Sequence, residues 1–207
     1  MGIGYQPYIW AENEGLNYGC LTFVRGRNPA ETARYYGADP RAAVPLTTHE
    51  RRTHPAFPDL VSWIELGEWT VAFEEERSRG SDPSLLGQLS LGTEAVSIHT
   101  NVLAHYRFRY AADGQTLTYF DALSPHTRHG TEPDRFVDAM RLIGLDPDIP
   151  PDLEELDDDP QYVEYTLPML LALTEHVTAI RLKPEFLDTA LTAVTGRSNR
   201  STLRSSP

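Results

Sequence analysis

The stretch from Leu60 to Leu123 constrains this chain most, because its apolar residues return at every second position between turn residues. Val61 and Trp63, then Trp69, Val71 and Phe73, then Val96 and Ile98, then Tyr106, Phe108 and Tyr110, and finally Leu117 and Tyr119 keep the alternation. A period of two belongs to a strand with one buried face, since successive side chains leave the pleated backbone on opposite sides. The stretch therefore predicts an antiparallel sheet. Its last hairpin turns at Asp113-Gly114, a pair that accepts the left-handed conformations of a two-residue turn. Counting outward from Ala112 opposite Gln115 sets Tyr110 against Leu117, Phe108 against Tyr119 and Tyr106 against Asp121. The even-numbered rings face the expected core. His105, Arg107 and Arg109 then share the other face with Thr116 and Thr118 and, by the same alternation, with Ser97, His99 and Asn101.

Helix signals surround these strands. A strand over Tyr18 to Val24 runs into Asn28-Pro29-Ala30-Glu31, where Asn28 caps, Pro29 loses no needed donor and Glu31 can reach back; Gly37 ends the helix. Leu60–Glu65 and Glu68–Glu74 form a hairpin about Leu66-Gly67. Ser81 or Asp82 with Pro83 opens a second helix that stops at Gly92, and Thr131-Glu132-Pro133-Asp134 opens a third that stops at Gly144. The proline-rich stretch 38–58 reads as a loop. Residues 146–160, acidic and proline-rich, read as a solvated linker. Leu167, Leu170, Leu171 and Leu173 mark one C-terminal helix, and Phe186, Leu187, Leu191 and Val194 a second. The expected fold is α+β: an antiparallel sheet of about five to six strands with helices packed on one face and a C-terminal helical pair. Residues 1–145 would be the sheet domain, 161–195 a helical appendage packed on it, and 196–207 a disordered tail.

At 207 residues the chain can bury a full core without staples. Cys20 is the only cysteine, which excludes an internal disulfide and fits a core thiol in a reducing, cytoplasmic setting. No run approaches the roughly 18 apolar residues of a membrane span, and Met1–Trp10 lacks the basic start of a secretion signal. The formal charge of −12 disfavours nucleic-acid phosphates and suits a basic protein partner.

The run Cys20-Leu21-Thr22-Phe23-Val24-Arg25-Gly26, the following Pro-Ala-Glu helix start, Gly67-Glu68-Trp69-Thr70-Val71-Ala72-Phe73-Glu74, Asn101-Val102, Arg107-Phe108 and Tyr110-Ala111-Ala112-Asp113-Gly114 together resemble an actinobacterial family of uncharacterised proteins. The likeness runs through Leu145, with an echo in the final helices. It implies an actinobacterial, cytoplasmic source and no site residues. Where that family's pattern has a polar Asn-Gly turn after Glu74, this chain reads Glu75-Glu76-Arg77-Ser78-Arg79-Gly80.

Known catalytic spacings are missing. Gly87-Gln88-Leu89-Ser90-Leu91-Gly92 has the wrong spacing for a nucleophile elbow, and Gly2-Ile3-Gly4 lacks the third glycine of a dinucleotide loop. His126 and His129 would need a third ligand to hold a metal, and the acidic run 146–160 lacks the order of a calcium loop, so no metal or cofactor is assigned. The candidate binding residues are His99, Asn101, His105, Arg107 and Arg109 on the polar sheet face, with Glu74 at its edge. Guanidinium groups on one side of one strand suit an anionic ligand or an acidic patch. The chain reads as a non-catalytic protein-interaction module, an accessory or antagonist-type factor; the alternative is an enzyme or ligand-binding domain that takes an anion on this His/Arg face.

Overall fold

A computed structural model describes residues 4–13, 16, 18–148 and 165–196. In chain order it comprises α1 (Trp10–Asn13), β1 (Gly19–Arg25), α2 (Pro29–Tyr35), β2 (Val44–Leu46), α3 (Thr48–Thr53), β3 (Leu60–Leu66), β4 (Trp69–Glu75), α4 (Pro83–Leu89), β5 (Glu94–Thr100), β6 (Tyr106–Ala112), β7 (Gln115–Asp121), α5 (Val137–Ile143), α6 (Thr166–Thr178), α7 (Glu185–Asp188) and β8 (Leu191–Thr195). Among the described residues no helix is long and apolar enough to cross a membrane.

The strands make one open sheet in the order β2-β8-β3-β4-β1-β5-β6-β7, antiparallel at every pairing. Eight strands replace the five or six expected from the sequence. One addition, β2, comes from the proline-rich stretch that read as a loop, which also holds α3. It is three residues long and sits at an edge, where Pro45 costs little. The other, β8, replaces most of the expected second C-terminal helix. That helix stops at Asp188, and the β-branched run Leu191-Thr192-Ala193-Val194-Thr195 pairs with both β2 and β3. Residues 165–196 are thus part of the sheet domain and its core rather than an appended helical pair. The linker assignment lies mostly outside the described residues, and the tail assignment lies outside them from residue 197 on.

Helices cover both faces, not one. On the first face Phe23, Trp69, Val71, Phe73, Val96, Ile98, Phe108, Tyr110 and Phe120 pack with Met140 and Ile143 of α5 and with Leu170 and Leu173 of α6. On the second face Val24, Ala72, Ala95 and Ala111 meet Ala33 of α2 and Leu86 and Leu89 of α4. The small alanines between the aromatics let α2 and α4 approach. Both helices start as the sequence indicates: Asn28 and Glu31 form a reciprocal cap, and the Asp82 side chain accepts from the Ser84 and Leu85 amides. Such caps contribute about 1 kcal/mol each.

The hairpin at Asp113-Gly114 starts in the expected register, Ala112 opposite Gln115, and then slips. An irregularity past Ala111 pairs Tyr110 with Thr118, Arg109 with Tyr119, Phe108 with Phe120 and Arg107 with Asp121. Thr118 therefore turns to the first face, where its hydroxyl donates to the Glu132 carbonyl at 2.7 Å, and Tyr119 comes beside Arg109. The outer edge of β7 is covered by the chain itself. Tyr119 and His129 exchange backbone hydrogen bonds at 2.8 Å, and the Glu132 amide donates to the Leu117 carbonyl at 2.8 Å. Gly130 permits this approach: its φ is +117°, and a Cβ there would lie 2.2 Å from the Leu117 carbonyl oxygen.

Candidate functional site

The strand registers align five polar residues in one row on the second face: Glu74 (β4), Cys20 (β1), His99 (β5), Arg107 (β6) and Asp121 (β7). Beside it runs a second row of Ala72, Thr22, Ser97, Arg109 and Tyr119. Cross-strand neighbours in such rows stand about 4.5–5.5 Å apart. The rows are covered at one end and open at the other.

At the covered end the turn Arg79–Ser81 presses onto β1, β4 and β5. The Gly80 amide donates to the buried Glu74 carboxylate at 2.7 Å, and Tyr36 donates its hydroxyl proton to Thr22 Oγ1 at 3.1 Å. Gly80 is needed for this fit, since a Cβ there would lie 1.9 Å from Thr22 Oγ1 and 2.6 Å from the Tyr36 hydroxyl. Burial, opposed by the Gly80 hydrogen bond and by Arg79 and Arg77, holds the Glu74 carboxyl up at about 7. Cys20 Sγ lies 3.3 Å from Ser97 Oγ. Burial and the nearby Glu74 push its thiol up to about 12, which keeps it from acting as a nucleophile near neutral pH.

At the open end the Arg109 guanidinium stacks over the Tyr119 ring at 4.1 Å, and burial lowers its proton affinity. Arg107 Nε stands 3.9 Å from Asp121, longer than a charge-assisted hydrogen bond, and its Nη2 lies 3.3 Å from His105 Nδ1. The Nε atoms of Arg107 and Arg109 and the Nδ1 of His99 are shielded from solvent and have no hydrogen-bond partner. Burial, and after it the Arg107 charge, depresses His99 to about 4, so its ring is neutral at physiological pH.

The row continues into the β5–β6 turn. Asn101 Oδ1 accepts from the Leu103 amide at 2.9 Å and the His105 amide at 3.3 Å, while its Nδ2 lies 3.0 Å from His105 Nδ1. Ala104 adopts a left-handed φ of +54°. The turn holds Val102 and Leu103 outward, 76% and 72% exposed.

The sequence-predicted residues thus separate. His99, Arg107 and Arg109 converge on the open end. Asn101 and His105 build the turn beside it. Glu74 lies in the same row but belongs to the covered end, where it holds Gly80. Sequence reasoning missed Tyr119, which the slipped register moves out of the expected core, and the Val102-Leu103 tip, which was visible as two apolar residues between strands. His129 stacks on Tyr119, and Arg128 between the two histidines pairs with Asp134. Among the described residues no group of three or more His, Cys, Asp or Glu side chains is placed to hold a metal. A cleft of about 810 Å³ lies around Arg25 and Glu94, and one of about 760 Å³ lies beside the covered end, between Tyr36, Arg79 and Gln88.

Fold and face together define a mixed α and β domain whose helix-flanked antiparallel sheet carries a polar row running from a sealed carboxyl to open arginines. A family model described as a family of unknown function (DUF6461) matches residues 1–196, and the chain belongs to that family. Among curated proteins and among solved structures nothing matches.

Proposed function

We propose that this chain is a non-catalytic protein-interaction module that docks a partner segment at the β5–β6 turn. The observation that carries the reading is the Val102-Leu103 tip: two large apolar side chains held in water by a turn that Asn101 braces and that strains Ala104 into a left-handed conformation. A strained non-glycine residue persists where its surroundings over-determine it, and such residues cluster at binding sites. His105 and Arg107 flank the tip, so the segment that fits it has apolar side chains next to a negative group. The charge of −12 over the whole chain favours approach of a partner that is basic overall. Both sheet edges are blunted, β2 by its length and Pro45 and β7 by residues 129–132, which favours side-chain docking over strand addition. The thiol of Cys20, held protonated, and the absence of catalytic spacing support a role without chemistry, and a lone buried cysteine suits the cytoplasm.

A photo-crosslinking residue at Leu103, compared with one at Leu142 on α5, tests the docking. The two positions are similarly exposed, at 72% and 66%. One discrete protein adduct from position 103, absent from 142 and reduced by Arg107→Gln, is the expected result. Equal capture at both positions, or none at 103, contradicts it. The alternative, binding of a small anion on the His/Arg face, is favoured by the three unpartnered nitrogens of His99, Arg107 and Arg109.

A further inference from the structure

We infer that Arg107, Arg109 and His99 form a binding site for a phosphoryl dianion, a site that shares Arg107 with the docking proposed at the Val102-Leu103 tip but is tested apart from it. Arg107 and Arg109 are alternate residues of β6 and project from the same face, and His99 pairs with Arg107 across the β5–β6 ladder. Three nitrogens of this one patch, the two arginine Nε atoms and His99 Nδ1, are out of solvent and without a hydrogen-bond partner. Native structures satisfy nearly all buried polar atoms; the chain leaves these three without an acceptor, and the Arg107 side chain, 36% exposed, is where an anion from outside would meet the patch.

The charge points the same way. In a chain of net charge −12 most arginines among the described residues are paired with carboxylates; Arg25, for example, holds Glu68 and Glu94, each at 2.8 Å. Arg107 and Arg109 have only Asp121, at 3.9 Å from Arg107, and the more distant charge of Asp82 beside Arg109. Neither counter-charge closes a fork, so the two guanidinium groups can hold the oxygens of a dianion where a single carboxylate would engage only one of them. Each planar fork can take two oxygens, and a tetrahedral phosphoryl group offers three. Tyr119 fixes one fork from beneath and His105 touches the other, so both are held in place before the ligand arrives. His99, neutral and opposite Arg107 on the neighbouring strand, adds no third charge and leaves a ring nitrogen for a hydrogen bond.

The test is calorimetric titration of the full chain, at constant ionic strength, with inorganic phosphate, with phosphoserine and with acetate. The expected result is saturable binding of phosphate or phosphoserine that acetate does not match, weakened roughly tenfold or more by Arg107→Gln and by Arg109→Gln, because each variant removes a charge-assisted fork. Arg25→Gln, on β1 at the opposite end of the strands from the His99 and Arg107 row, leaves the binding unchanged. Arg109 is half-buried and its variant can lose structure, so Arg107→Gln, at a side chain 36% exposed, carries the result if Arg109→Gln melts early. Tighter phosphoserine than phosphate identifies the group as one borne on a protein; equal affinity identifies a free phosphate or small ester. No saturation by either, acetate binding as tight as phosphate, or equal affinity of Arg107→Gln and wild type would overturn the site. A persistent crosslink from Leu103 in that case leaves the docking reading intact, so the two can fail separately.

Discussion

The two ends of the polar row are built from the same sheet face and differ in what closes them. At the Glu74 end the chain supplies its own lid: the Arg79–Ser81 turn brings an amide to the carboxylate, and the Cys20, Thr22, Ser97 and Tyr36 groups lie within hydrogen-bond reach of one another. At the Arg107 end three nitrogens, Arg107 Nε, Arg109 Nε and His99 Nδ1, find no partner within the chain, and the Arg107 side chain is 36% exposed. A buried polar network repays its cost of desolvation only when its members are satisfied. The sealed end meets that condition within the chain, whereas the open end leaves three nitrogens without an acceptor, which the proposed phosphoryl ligand would supply. On the proposed reading, the same strands serve structure at one end and recognition at the other.

Substitutions at the two ends should separate accordingly. The largest effect is expected at Gly80→Ala, where the added methyl meets Thr22 Oγ1, the Tyr36 hydroxyl and Cys20 Sγ. Overpacking of this kind costs about 1–3 kcal/mol, and chemical denaturation should show a loss near the top of that range. An unchanged denaturation midpoint would mean that the turn is not packed on the sheet.

Next in size is the response to pH. Glu74 is raised from 4.5 to about 7, so its favourable contribution is fully present below pH 4.5 and is lost as pH rises through about 7. Tenfold in proton affinity is about 1.4 kcal/mol, which makes the cost of the ionised carboxylate on the order of 3 kcal/mol. His99 is lowered from 6.5 to about 4, so its contribution is present above pH 6.5 and is lost as pH falls through about 4. Between these limits the two slopes oppose each other. In difference curves against wild type, which remove the other carboxylates, Glu74→Gln should gain relative stability from pH 5 toward pH 8. His99→Gln should gain relative stability as pH falls from 6.5 toward 4. Parallel curves for all three proteins would contradict the burial of these groups.

The smallest effect on stability is expected at the open end. Arg107→Gln should stay within about 0.5–1 kcal/mol of wild type, because a side chain 36% exposed with one long ion pair supports little. A loss as large as that of Gly80→Ala would make Arg107 a structural residue and remove the contrast between the two ends.

Much of this contrast could be read in the sequence, and the unread part has physical causes. The inward phase of Phe108 and Tyr110 followed from period-two alternation, which placed Arg107 and Arg109 together on the other face. The pairing of β7 did not follow, because the irregularity near Leu117 inserts a residue that alternation alone cannot reveal; it carried Tyr119 from the expected core to Arg109. The second helical layer was hidden because Ala72, Ala95 and Ala111 are small enough to read as neutral in an alternating strand. Glu74 was visible as a candidate, but its sealed position depends on a turn arriving from residues 79–81 and leaves no mark in local pattern. β8 was missed because Phe186, Leu187, Leu191 and Val194 also satisfy a helical spacing.

The most direct test of open against sealed follows the arginine Nε–H resonances of the full chain while inorganic phosphate is added at constant ionic strength. The signals assigned to Arg107 and Arg109 through their Gln variants should shift together and saturate, while those of the ion-paired Arg25 and Arg51 stay in place. A uniform drift of all arginine signals, or none at the Arg107 and Arg109 positions, would contradict the claim that this end of the row is completed from outside.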